Sequence, residues 1–138
     1  MILKYLIIPF FLTLFISAHA QENTLQKTCM QFFDQEFFLN EDYNQLSIKG
    51  DKKARFHVTF YEHFIHRIAV ASSVNKAPLE VTLYDKEDHV LFCNREHDFI
   101  PYWDFKVASS VECIVEVQLV EPKDKQIKIC LITGYKKE

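Results

Sequence analysis

Gly50 and Gly134 are the only two glycines in this chain of 138 residues, and a loop that wraps phosphate needs several within a few positions. Nucleotide binding of that kind is excluded. The four cysteines, at positions 29, 93, 113 and 130, are never closer than seventeen residues. Zinc sites are built from close pairs such as Cys-x-x-Cys, so the spacing argues against a cysteine-held metal. Ser109-Ser110 lacks the flanking glycines of a hydrolase elbow. No cysteine has a histidine beside it to activate it as a nucleophile. Positive charge is not concentrated either: the lysine pairs at 52–53 and 136–137 stand alone in a chain of net charge −3. Phosphate backbones need a basic patch, so nucleic acid is not an expected partner. No linker rich in proline or serine and no internal repeat divides the chain.

What is present begins with a leader. Lys4 precedes an apolar run from Tyr5 to Ile16, followed by Ser17-Ala18-His19-Ala20. One early positive charge, a short apolar segment and small residues at Ala18 and Ala20 make a secretory signal peptide over residues 1–20, cleaved after Ala20. The run is shorter than the ~20 residues that span a bilayer, so a membrane anchor is the weaker reading. Cys29 lies too far past the cleavage point for a lipoprotein. Residues 21–138 then form one exported domain, periplasmic or secreted, with no membrane span. Loss of Lys4 takes its net charge from −3 to −4. A domain of that size buries roughly two-thirds of its unfolded surface. In an exported chain Cys29, Cys93, Cys113 and Cys130 are candidates for up to two disulfides, with three connectivities open.

The middle of the domain reads as antiparallel sheet. Leu79, Val81 and Leu83 alternate with Glu80, Thr82 and Tyr84, Asp85-Lys86-Glu87-Asp88 breaks the run, and Val90-Leu91-Phe92 resumes it. Trp103, Phe105 and Val107 alternate with Asp104 and Lys106. Such alternation puts one face of each strand in a core. Phe56, Val58 and Phe60 followed by Ile65 to Ala71 read as a hairpin. A second hairpin is expected from Cys113, Val115, Val117 and Leu119, a polar turn at 121–126, and the return from Ile127 to Tyr135. That last segment is apolar on both parities, which marks a strand covered on both faces.

At the other end, Leu25, Cys29, Phe32, Phe33 and Phe37 fall three and four apart. They define one face of a short helix over about 23–35, capped by Asn23 or Thr24. Its place is on the outer face of the strand from Ile127 to Tyr135. Residues 38–53 carry little pattern beyond Tyr43, Leu46 and Ile48 before a turn at Gly50-Asp51. The expected fold is an all-β sandwich of jelly-roll type, with seven or eight strands over about 54–135 and one N-terminal helix packed on it.

The blocks Phe60-Tyr61, His66-Arg67-Ile68-Ala69, Leu83-Tyr84-Asp85, Leu91-Phe92-Cys93-Asn94, Pro101-Tyr102-Trp103-Asp104-Phe105, Cys113 to Leu119 and Cys130 to Lys136, in that order, resemble small secreted β-sandwich proteins of Bacteroidetes. More loosely the pattern is similar to jelly-roll domains appended to secreted bacterial peptidases, which implies a binding or stabilising module. In the closer relatives a cysteine stands at the position of Ala71 and none at that of Cys93. The resemblance therefore implies that Cys93 has taken over a pairing role or is a free thiol. It brings no functional residues.

Three groups of residues could carry a function. Asp85, Asp88, Asn94 and Asp98, with Glu87 and Glu96, lie in the loops around Val90 to Cys93, and such oxygens suit calcium, which takes six to eight. No fixed loop spacing supports it, and turns use Asp and Asn for their own backbone reasons, so no cofactor is expected. Tyr61, Tyr84 and Tyr102 share the outward parity of their strands and offer an aromatic surface, whereas Trp103 shares parity with Phe105 and belongs to the core. His63, His66, His89 and His97 with nearby acids would be the means of a small metal-dependent or hydrolytic enzyme. His63 and His66, three apart, face opposite ways on a strand. The leading expectation is a non-enzymatic exported module that binds an envelope protein or a glycan; the enzyme is the alternative.

Overall fold

A computed structural model describes residues 24–40, 44–49, 51–74, 77–121, 124 and 126–138. The expected leader, Asn23, Tyr43 and Gly50 lie outside the described residues. Two antiparallel sheets face each other. Strands β1 (Phe38–Leu39), β2 (Asn44–Lys49), β4 (Phe64–Ser72), β7 (Tyr102–Phe105) and β9 (Gln126–Lys137) make the first. Strands β3 (Ala54–Phe60), β5 (Leu79–Tyr84), β6 (Val90–Cys93) and β8 (Val111–Leu119) make the second. A helix, α1, covers the outer face of the first sheet over residues 24–30. This is the expected sandwich, with nine strands among the described residues.

Strand β9 organises the first sheet. One of its edges pairs with β1 at Tyr135 and Gly134 and with β2 from Leu131 to Gln126, and its other edge pairs with β4 along nine residues. Its two apolar parities go to two cores. Ile127, Ile129 and Leu131 join Phe56, Val81, Val115 and Val117 between the sheets. Cys130 and Ile132 join Leu25 and Cys29 of α1 over Ala69 and Ala71 of β4. Each large aliphatic side chain so buried contributes about 1.5–3 kcal/mol. Small residues at Ala69, Ala71 and Gly134 let the helical segment approach closely. A methyl group on Gly134 would stand 2.8 Å from the Phe33 ring.

Two expected hairpins are crossings instead. Strand β3 pairs with β8, while β4 pairs with β7 and β9 in the opposite sheet, and β8 and β9 are likewise split between sheets. Alternation fixes which face of a strand is buried, and both sheets bury against the same core, so the pattern is identical for a hairpin and a crossing. Only β5–β6 is a hairpin as expected. The helix is also shorter than its apolar spacing predicts. Asp34 Oδ1 accepts the Glu36 N–H at 2.9 Å, a local turn that competes with helix and delivers Phe37 onto the sheet.

Candidate binding surface

Tyr102 lies on the helix side of β7, opposite Ala69, and is 40% exposed. Its ring stacks on Phe32, just past α1, with centroids 5.0 Å apart. Arg67 of β4 is held beneath them. Its Nε and Nη2 donate to the two carboxylate oxygens of Asp104 at 2.6 and 2.8 Å, and Nη1 donates to the Phe32 carbonyl at 2.5 Å. The guanidinium carbon sits 4.4 Å from the Phe37 ring centroid and 5.0 Å from that of Tyr102. A planar cation between two aromatic faces and a bidentate carboxylate has little freedom left. Phe32 also walls a groove of about 390 Å³ with Thr28, Val74, Phe99 and Pro101. The surface is thus a fixed aromatic–guanidinium cluster beside an apolar groove.

The other two tyrosines lie elsewhere. Tyr84 is on the outer face of the second sheet, its hydroxyl 3.5 Å from Glu116 Oε1 and Arg55 over its ring. That face is a charged lattice. Glu116 takes Lys53 at 2.9 Å and Arg55 at 3.3 Å, and Glu80 takes Arg95 and Gln118. Tyr61 is exposed at the turn between β3 and β4. Tyr84 and Tyr102 therefore face away from each other across the sandwich. The signal for Arg67 and Phe32 was in the sequence, but alternation alone does not show that a strand cation and a residue after a helix will meet.

The acidic residues of the loops each have their own task. Asp85 Oδ1 accepts the N–H groups of Glu87 at 2.8 Å and His89 at 2.9 Å, and Oδ2 meets the His89 ring at 3.0 Å. Bonding first to the His89 backbone, then to its ring and to Glu87, holds the Asp85 carboxyl below its usual range. Asp88 pairs with Arg55 at 2.7 Å. Asn94 is fully buried, bonded to Val81, Leu79 and Ile100. Asp98 ends the short 3-10 turn Asn94–His97 in the left-handed conformation. Among the described residues no group of three or more His, Cys, Asp or Glu side chains is placed to hold a metal ion.

The histidines are similarly dispersed. His63 is exposed on a turn. His66 is buried against Phe60 and Phe105, its Nε2 within 3.0 Å of the Tyr61 amide and 2.8 Å of the Tyr61 carbonyl. His89 faces Asp85, and His97 lies flat on Phe92.

No two of the four cysteines are joined in this structure. Cys29 and Cys130 are both fully buried; Cys29 Sγ lies 3.7 Å from the Cys130 carbonyl, and the neighbouring Cys130 side chain, ahead of burial, pushes the Cys29 thiol far above its ordinary range. Cys29 Sγ also donates to the Ala69 carbonyl at 3.2 Å. Cys113 is in the core between the sheets. Cys93 lies on the charged face of β6, where its sulfur accepts from Thr82 Oγ1 at 3.6 Å. The fold brings one cysteine pair together, not two.

No protein family matches the chain, and no curated protein does. Among solved structures it is similar to the crystal structure of Aeromonas hydrophila PliG, a periplasmic lysozyme inhibitor of g-type lysozyme. The TM-score is 0.52 at 9% identity, over 75% of this chain and 91% of PliG. At that identity the likeness is one of fold alone.

Proposed function

We propose that this chain is an exported, non-catalytic β-sandwich that binds a protein at the cell envelope and acts by occupying it, as an inhibitor does. The observation that carries the reading is the Phe32–Tyr102–Arg67 cluster, on a fold similar to that of a periplasmic inhibitor. Tyrosine and arginine held rigid and partly exposed are the residue types that dominate protein–protein affinity. A glycan platform is less well supported, because Tyr61, Tyr84 and Tyr102 share no face. The partner class carried over from the structural relative is a lysozyme of the g type.

Export also accounts for Cys29 and Cys130. In an oxidising compartment these two thiols, which share one buried cluster, lose two protons and two electrons to a disulfide-bearing oxidant, itself reduced to two thiols, and form one bond, tying α1 to β9.

The experiment is a titration of g-type lysozyme with the exported chain while peptidoglycan lysis is followed. The reading expects lysis to fall to a plateau at one equivalent, with no cleavage by the chain alone. Undiminished lysis at large excess, or glycan cleavage by the chain itself, contradicts it.

A further inference from the structure

Helix α1 is seven residues long and buries two of them, Leu25 and Cys29. A helix that short has little stability of its own, and a segment with few buried apolar contacts opens locally while the rest of its domain stays folded. Phe32 moves with it. Its N–H donates to the Cys29 carbonyl at 3.3 Å, its own carbonyl accepts Arg67 Nη1 at 2.5 Å, and its ring lies on Tyr102. One part of the aromatic–guanidinium surface is therefore carried by the helical segment, and the other, Arg67 and Tyr102, by strands β4 and β7.

Cys29 is where that segment meets the sheet. Its Sγ donates to the Ala69 carbonyl at 3.2 Å and lies 3.7 Å from the Cys130 carbonyl. Ala69 stands opposite Tyr102, and Cys130 opposite Ala71. Cys29 and Cys130 share one buried cluster with Leu25, Ala69, Ala71 and Ile132. The Cys130 side chain, and burial after it, push the Cys29 thiol up, and a thiol raised in this way is a poor nucleophile. Oxidation therefore runs through the open segment, where both cysteines are uncovered.

We infer that a Cys29–Cys130 disulfide locks the binding surface: with the bond α1 stays on the sheet and Phe32 on Tyr102, and without it the segment opens and only Arg67 and Tyr102 remain in place. The inference rests on the reading of this surface as the one that binds the partner. In the open segment one cysteine thiolate attacks the disulfide of the oxidant, breaks that bond, releases one thiol and forms a mixed disulfide. As the segment docks, the second cysteine displaces the remaining thiol and the Cys29–Cys130 bond closes. Two electrons and two protons have passed to the oxidant, now two thiols. The surface is thus completed only in an oxidising compartment.

Hydrogen exchange followed by NMR tests the lock without any partner. The exported, oxidised protein is compared with a variant carrying both Cys29→Ala and Cys130→Ala, and with wild type unfolded in reductant and refolded with reductant present. Relative to amides of β8, exchange at Phe32 and Phe33 is expected to be at least roughly tenfold slower in the oxidised protein than in the other two. Should the double variant not fold, as judged by circular dichroism, the refolded reduced wild type carries the comparison. Equal protection of Phe32 with and without the bond overturns the inference, as does peptide mapping that finds Cys29 and Cys130 unlinked in the exported protein. Inhibition of g-type lysozyme, measured without reductant, is expected to be weaker by roughly tenfold or more for Cys130→Ala than for the oxidised wild type. Equal inhibition by the two also overturns the inference, whereas no inhibition by either contradicts the partner reading alone, because the exchange comparison needs no partner.

Discussion

The side-chain oxygen of Asn94 accepts the backbone N–H of Val81 at 2.8 Å, so a carboxamide continues the sheet where β6 ends. Its Nδ2 donates to the carbonyls of Leu79 at 3.0 Å and Ile100 at 3.2 Å. One buried side chain thereby satisfies three backbone groups and fixes the crossing from β6 to β7. Removing it leaves these groups without a partner, at about 1–3 kcal/mol for each buried one. Asn94→Ala is expected to lower stability by about 3 kcal/mol or more in urea unfolding. A loss under about 1 kcal/mol would mean that water replaces the amide.

Gly134→Ala tests the seat of the helical segment. The added methyl meets Phe33 Cε1 at 2.8 Å, Phe33 Cδ1 at 3.2 Å and the Phe38 carbonyl at 3.2 Å. Overpacking of this kind costs about 1–3 kcal/mol. Thermal unfolding should show that loss, and Phe33→Leu in the same chain should relieve part of it. A neutral Gly134→Ala would contradict the placement of Phe33.

The β5–β6 turn should resist acid. The folded Asp85 carboxyl titrates below its ordinary value of 3.8 because it accepts from His89 and Glu87. A group depressed on folding stabilises the structure above its unfolded pKa, and that contribution disappears as pH falls through the lower folded value. The carbon-13 shift of the Asp85 carboxyl, followed by NMR, should therefore move below pH 3.8, together with the Glu87 and His89 amides. Titration at or above the ordinary value would remove the turn's bonding from the account.

Much of this architecture was legible from residue pattern because burial is written directly into alternation. Ile127 to Tyr135, apolar on both parities, identified the strand that carries the helix, and the cores on its two sides follow from that. Partner choice was not legible. Phe38–Leu39 and Asn44–Lys49, nearly patternless, both pair with β9, since an edge strand buries little and needs no strict alternation. Asn94 looked like a loop oxygen fit for a cation, and its burial under the β6–β7 crossing is a tertiary fact that no local spacing encodes.

Intact mass resolves the cysteines. For protein recovered from the exported fraction, the leader predicts a mature chain beginning at Gln21, and the shared buried cluster of Cys29 and Cys130 predicts one disulfide, two hydrogen atoms lighter than the reduced form. Under denaturing conditions without reduction, alkylation should label Cys93 and Cys113 only. Four alkylated thiols would contradict the cross-link, and retention of residues 1–20 would contradict export.

The central claim is that a fixed aromatic–guanidinium surface, not a catalytic centre, does the work, and the inhibition constant for g-type lysozyme tests it most directly. Wild type, Tyr102→Ala and Tyr84→Phe should be compared side by side, since Tyr102 and Tyr84 lie on opposite outer faces. The account predicts that wild type and Tyr84→Phe inhibit equally, and that Tyr102→Ala is weaker by roughly 30-fold or more, as befits loss of a hot-spot residue. Equal inhibition by all three, or none by the wild type, would contradict it.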